Sequence, residues 1–367
     1  MSDSLNTVFI DDILRIILSK LPISRLAQLQ QVSRDWRRFI HSQEMAWSIY
    51  DRELSQALFL VSNRERFIGV IYTNHLVNQN RLNIMPRLSA MHFPLIDFPV
   101  EAIVGSSNGL ILLVDNLRQL FVVNPRTLQI RDIIGDTRPA WTYGFGWKNY
   151  GNLRCNVVVK VLDRGMETFA IFNLNSNQWR GCVVTWKGAD WNVQIDEGSS
   201  SAFVGGSFLW LGSATLGHSS PEQCVVILDC TNNSVDYISL LPSMRGIALR
   251  IGNVGDNIAA LWPINADYSC IWILYLSTRM FRAVDILAYP SGVLFYPLCF
   301  YNDWARMVML RQNQNIDLYF LSGRQRITEL HFQDDPEPAL YNYFPRGDRF
   351  QAIAFDASFI SPGELQD

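Results

Sequence analysis

The sequence is short of histidine, cysteine and charge, and each shortage removes a class of function. Its five histidines, at 41, 75, 92, 218 and 331, never approach metal-ligand spacing. The six cysteines (155, 182, 224, 230, 270 and 299) contain no CxxC pair, so they read as reduced, buried thiols rather than a zinc site or a disulfide framework. A GxSxG elbow, a P-loop and a dinucleotide fingerprint are all absent. No catalytic residue, metal or cofactor is therefore expected. Charged residues make up 18% of the chain, with a net charge of −3, which excludes nucleic-acid binding through a broad basic surface. No apolar run approaches the roughly 18 residues of a membrane span. Even GVLFYPLCFY (292–301) is broken by Pro297. The opening MSDSLNTVF lacks the basic start and apolar core of a signal peptide. The expected setting is the cytoplasm, the nucleus or both, with no membrane partner.

What the chain does have is length for one small and one large domain, 367 residues, and 12% aromatics for a sheet-rich core. The small domain is expected at 1–50 and the large one at 51–367. Residues 12–40 carry three short helical signals. Ile13, Leu14, Ile17, Leu18 and Leu21 recur at spacings of three and four on one stripe, behind the acidic pair Asp11-Asp12. Leu21-Pro22 ends that helix, because the residue before a proline leaves the helical region. Ser24 can cap a second helix bearing Leu26 and Leu29, and Ser33 a third with Trp36, Phe39 and Ile40 on one side. Three helices this short cannot bury so many apolar groups alone. Packing among the helices accounts for part of Leu21, Pro22, Leu26 and Trp36. The surplus favours contact with another molecule.

This stretch resembles an F-box, the module that docks substrate receptors on the Skp-family adaptor of cullin–RING ubiquitin ligases. The likeness runs through ILSKLPISRLAQLQQVSRDWRRFI, with Leu21-Pro22, Leu26, Val32-Ser33 and Trp36 at the family's spacings. Ile10 stands where many members have proline, and Gln30-Gln31 replaces a common Arg-Cys. The resemblance implies adaptor contact through Leu14, Ile17, Leu21, Pro22, Ile23, Leu26, Val32 and Trp36.

From Ala57 onward the pattern changes to short apolar or alternating runs bounded by Gly, Asn, Ser and Asp. One series begins at Gly109, Cys155, Ser207, Asn257, Ala305 and Arg349, with starts 46, 52, 50, 48 and 44 residues apart. A second series, strand–turn–strand, follows each of the first five after 12 to 18 residues. Turns such as Asn175-Ser176-Asn177 and Asn232-Asn233 have the chemistry for reversals. A period near that of kelch blades, about 50 residues, predicts a propeller. The expected fold is α+β and multidomain: small all-α helices, then an all-β kelch-like β-propeller of six blades. Residues 57–72 should supply the outer strands of the blade that the C-terminus completes, leaving no open sheet edge at the closure. The region also resembles the F-box-associated domain of plant F-box proteins, through GSSNGLILL with FVVNPRT (105–127), YGFGW with NVVVKV (143–161) and FAIFNLNSNQWR (169–180).

The two resemblances imply a noncatalytic substrate receptor, bound through the adaptor to a cullin–RING ligase and holding a target protein. Loops read as crowding the channel, 141–154, 191–200, 301–306 and 345–350, offer Trp141, Tyr143, Trp147, Trp191, Trp304 and Arg346 for recognition. Packing between blades is the competing role for these tryptophans. Trp179, Trp210 and Trp272 sit within strands and read as core. The alternative function is a propeller that binds or acts on a carbohydrate or small molecule, with the helices as a cap.

Overall fold

The computed structural model describes parts of 13–40, most of 100–285, and the backbone of strands between 56 and 72 and between 295 and 356. At the N-terminus, positions 13, 14 and 16–18 are helical, and helix α1 runs Arg34–Ile40. Ser33 caps α1, its Oγ accepting the Trp36 backbone N–H at 3.1 Å, as its place before the helix predicts. Leu18 and Ile40 are fully buried, and Leu21, Leu29, Trp36 and Phe39 pack against them.

The rest is β-sheet. Four antiparallel meanders of four strands follow the chain. They are β3–β6 (Val100–Ser107, Leu110–Asp115, Leu120–Asn124, Gln129–Ile133) and β7–β10 (Thr142–Tyr150, Leu153–Val161, Thr168–Asn173, Gln178–Val183). The others are β17–β20 (Leu249–Gly255, Ile258–Pro263, Cys270–Tyr275, Met280–Asp285) and β21–β24 (Phe295–Tyr301, Arg306–Arg311, Ile316–Phe320, Gln325–Leu330). A six-stranded sheet holds β11 (Thr185–Trp186), β12 (Trp191–Ile195), β13 (Ser201–Val204), β14 (Ser207–Leu216), β15 (Glu222–Asp229) and β16 (Ser234–Ser239). A three-stranded sheet pairs β1 (Gln56–Ser62) with β2 (Phe67–Tyr72) on one side and with β25 (Phe350–Asp356) on the other.

First strands touch in succession: β3 with β7, β7 with β13, β13 with β17, β17 with β21, β21 with β25, and β25 with β3. The architecture is thus propeller-like. Six equivalent blades are not present: among the described residues four sheets have the regular four-stranded blade form. The other two depart from it. One gains the two-residue strand β11 in parallel on β16 and has its first strand split into β12 and β13. The other is built from both ends of the chain and has three strands.

Successive strand residues point to opposite faces, so each middle strand feeds two cores. Val157, Val159 and Val161 pack toward β14 and β15, while Val158 packs toward β4 and β5. Trp210 lies in the first of these cores, and its neighbours Leu209 and Leu211 in the next one, against Leu261 and Trp272. Burial on both faces explains continuous apolar runs such as LILLV in β4.

The structure corrects the phase of the repeats. The runs beginning at Gly109, Cys155, Ser207, Asn257 and Ala305 are second strands, whereas the run at Arg349 becomes the first strand β25. Segments read as loops are first strands: GFGWKNY lies within β7, and WNVQI is β12. Glycine is what hid them. A Cβ on Gly144 would stand 2.6 Å from Phe208 and 2.9 Å from Trp210, and one on Gly146 would stand 2.3 Å from Phe203. These glycines mark close approach between neighbouring sheets, not turns. The hairpin turns match their sequence chemistry, with Asn177 and Asn233 at φ +52° and +50°.

Candidate docking surfaces

Two surfaces stand out, one on the helices and one on the propeller. On the helices, Ile13, Ile16, Ile17 and Val32 are exposed, Leu14 is half-buried, and Leu21 and Trp36 are partly spent on the helical core. Leu21 and Trp36 therefore have an internal packing role in addition to any outward one. Pro22, Ile23 and Leu26 lie outside the described residues. Ile16 was not legible as a surface residue, because it sits one place off the stripe of three-and-four spacings. Four branched aliphatic side chains stand exposed on this small module.

On the propeller, antiparallel strands reverse at each turn. Connections between sheets and turns between second and third strands thus emerge on one face, here the upper face. Cross-sheet bonds tie that face together. The Trp141 indole N–H donates to the Ile195 carbonyl at 2.7 Å, and Thr142 Oγ1 to the Ser199 carbonyl at 2.9 Å. Ser200 Oγ accepts the Ile251 N–H at 3.0 Å, and Ser201 Oγ donates to the Val104 carbonyl at 3.2 Å. The segment 196–201 is a hub joining strands from four sheets.

A second clamp holds 134–141. Lys160, buried on β8, donates to the Asp136 carbonyl at 2.9 Å, lies 3.7 Å from its carboxylate, and stands 5.7 Å from the Trp179 ring centre. The side-chain bonds from Arg138 outweigh burial and hold the Asp136 carboxyl at about 2, with Lys160 helping. Burial pushes the Lys160 ammonium below its usual range, and Asp136 opposes that shift. Trp179 Nε1 donates to the Ile134 carbonyl at 3.2 Å, fixing the start of the same segment.

Several residues expected at a recognition surface are engaged inside. Tyr143 is buried, with its hydroxyl 3.5 Å from the Arg118 carbonyl. Trp141 is half-buried against the core between β8 and β14, and Trp147 meets the Phe203 ring edge-on at 5.5 Å. Trp191 begins β12, opposite Leu216 on β14. Trp304 and Arg346 lie outside the described residues. Trp210 and Trp272 are core, and Trp179 packs on Phe172 at 5.2 Å.

Sequence reasoning missed the groups the upper face does present. Leu117, Ile134, Leu216 and Leu241 are four of the five exposed large apolar side chains of the described propeller, and all lie on this face; Met280 is the fifth. Each is a single apolar residue among polar neighbours, a pattern with no periodic signal. A groove of about 500 Å³, lined by Ser219–Gln223 and by Arg245 and Gly246, opens between the β14–β15 hairpin and the segment after β16. The described cysteines (155, 182, 224, 230 and 270) are free thiols. Burial pushes Cys224 and Cys230 up to about 12, which makes them inert packing groups.

The described residues thus form a small helical module with exposed aliphatic side chains and a propeller-like ring of sheets. Residues 10–47 match the F-box domain family, and residues 58–273 match the F-box associated beta propeller domain family. The second match covers more than half of the chain, and the chain belongs to this family of plant-type F-box proteins. Two Arabidopsis thaliana proteins named as F-box proteins are similar to it, 24% identical over 214 residues and 26% identical over 217. Those alignments cover 56% and 55% of this chain and 55% and 56% of the relatives, so the chain spans about half the length of the curated relatives it matches. Among solved structures, apo AztD from Citrobacter koseri matches with a TM-score of 0.37 and 10% identity, over 82% of this chain and 98% of that one. An oligogalacturonate lyase in complex with manganese matches with a TM-score of 0.42 and 9% identity, over 76% of this chain and 74% of the other.

Proposed function

We propose that this protein is the noncatalytic substrate-recognition subunit of an SCF-type cullin–RING ubiquitin ligase. Residues 1–50 dock on a Skp-family adaptor, and residues 51–367 hold a target protein near the ubiquitin-charged enzyme. The observation that carries this reading is the exposure of Ile13, Ile16, Ile17 and Val32 on a module of F-box sequence. Pro22, Ile23 and Leu26 complete the set that the F-box resemblance assigns to adaptor contact. Removing aliphatic surface from water drives such docking, at roughly 25 cal/mol per Å². The receptor's contribution to the reaction is proximity: it raises the effective concentration of target lysines at the ligase. A receptor of this kind works in the cytoplasm, the nucleus or both.

Co-expression with a Skp-family adaptor and size-exclusion chromatography tests the reading. A stoichiometric complex is expected. A soluble chain that elutes alone in the presence of adaptor overturns it.

A further inference from the structure

The groove beside Leu216 owes its wall to an irregular sheet. Strand β14 runs ten residues, and its last five pair with β12 rather than with β13, so the β14–β15 hairpin rises on the upper face. Ser219 fixes the tip: its Oγ accepts the Leu216 N–H at 3.2 Å, and its N–H donates to the Leu216 carbonyl at 3.0 Å. The opposite wall is the turn after β16, where the Gly246 N–H donates to Gln223 Oε1 at 2.8 Å. Ser219, Ser220, Pro221, Glu222 and Arg245 line the space between. Leu216 and Leu241 are both exposed and stand next to its two walls along the chain, Leu216 in the turn that Ser219 closes and Leu241 in the turn that leads to Arg245.

The polar groups of this groove are unevenly spent. Glu222 uses both oxygens, one on Arg245 and the other accepting the Ser239 hydroxyl at 3.3 Å. Arg245 gives one N–H to Glu222, and its side chain is 47% exposed. A guanidinium carries five donors and no acceptor. The groove therefore offers donors, from Arg245 and the two serines, beside an aliphatic rim. That is the complement of an anion next to an apolar side chain. Because Glu222 already offsets part of the arginine's charge, a singly charged carboxylate suits it better than a doubly charged phosphate.

We propose that this groove seats an extended segment of the target protein, with an aspartate or glutamate carboxylate on Arg245 and a neighbouring aliphatic or aromatic side chain against Leu216, Pro221 and Leu241. The inference rests on the receptor reading above and names the chemistry of the partner.

The test uses the full chain in complex with its adaptor, panned against random 12-residue peptides displayed on phage. Enriched peptides are then synthesised with a fluorescein label and measured by anisotropy. Peptides pairing an acidic residue with a bulky apolar one are expected, and Arg245→Glu should weaken them by at least about tenfold. Leu216→Ser with Leu241→Ser, which leaves the ion pair intact, should also weaken them, and it decides the matter if Arg245→Glu lowers the melting temperature. Failure to enrich any peptide, selection of basic peptides, or equal binding by Arg245→Glu overturns the proposal. Tighter binding when phosphoserine replaces the acidic residue overturns the carboxylate assignment. Elution of the adaptor on the same column is scored separately. Its loss from the unaltered chain sinks the receptor reading, whatever the peptides do.

Discussion

Ile16 and Ile17 sit beside Leu18 in one helical turn, yet they should fail in different ways when truncated. Ile16 and Ile17 are 58% and 52% exposed, whereas Leu18 is 2% exposed and packs with Ile40. Fully burying an isoleucine is worth about 1.5–3 kcal/mol, so the exposed half of each side chain can contribute about 1 kcal/mol to a partner. Replacing both with serine should cost about 2 kcal/mol of adaptor affinity, a Kd roughly thirtyfold weaker. The folded state loses only the halves packed inside, on the order of 1 kcal/mol each. Leu18→Ala empties the helical core instead, at a cost of about 2–5 kcal/mol in stability. Calorimetric titration with purified Skp-family adaptor, alongside thermal melts of each variant, separates the two. A double serine variant that binds within threefold of the original chain refutes the reasoning. So does a Leu18→Ala variant that binds and melts unchanged.

Gly144→Ala should destabilise the propeller by about 1–3 kcal/mol, because Phe208 and Trp210 are fully buried and have little room to yield. Gly181→Ala, where a Cβ meets nothing within 4 Å, should be neutral or stabilising by a few tenths of a kcal/mol; urea titrations of the pair check this. The Asp136 carboxyl, held at about 2, contributes stability that is full above its ordinary value near 3.8 and is lost as pH falls toward 2. Asp136→Asn should therefore flatten the acid limb of stability against pH, by on the order of 1 kcal/mol after solvent screening of the half-exposed Arg138, and acid-induced unfolding followed by circular dichroism measures it. Native Cys224 and Cys230 should react with an aromatic disulfide reagent at pH 8 far more slowly than the same thiols in urea, as counted by absorbance.

Much of the fold was legible because burial on both faces writes continuous apolar runs. GLILLV, NVVVKV and SFLWLG are second strands for that reason, and their spacing carried the repeat. The first strands were not legible. Their positions at close contacts favour glycine, between sheets at Gly144 and Gly146 and under the Trp262 ring of the neighbouring strand at Gly252, and glycine reads as a turn when only the sequence is in view. The repeat count also outran the structure. The closing sheet of β25, β1 and β2 is the one expected from 57–72 and the C-terminal run, but spacing does not show that β12 and β13 share one position. For the site, two of the aromatic candidates are engaged inside. Trp141 and Tyr143 are held by their polar tips to the Ile195 and Arg118 carbonyls, so they stiffen the face rather than present themselves on it.

That stiffness bears on function. A receptor that works by proximity gains from a rigid recognition face, because effective concentration falls as the bound target explores more positions. The upper face is stitched across four sheets through Ser200, Ser201, Thr142 and Trp141, and Lys160 and Trp179 pin the segment carrying Ile134. Within this frame the exposed aliphatic side chains can vary without disturbing the core, since none of Leu117, Ile134, Leu216 and Leu241 is buried. The helical module is arranged the same way, with Leu18 and Ile40 inside and Ile16, Ile17 and Val32 outside. Each half therefore separates the residues that hold its shape from those available for contact, so on the proposed receptor reading changes to the target-facing set can leave adaptor docking untouched.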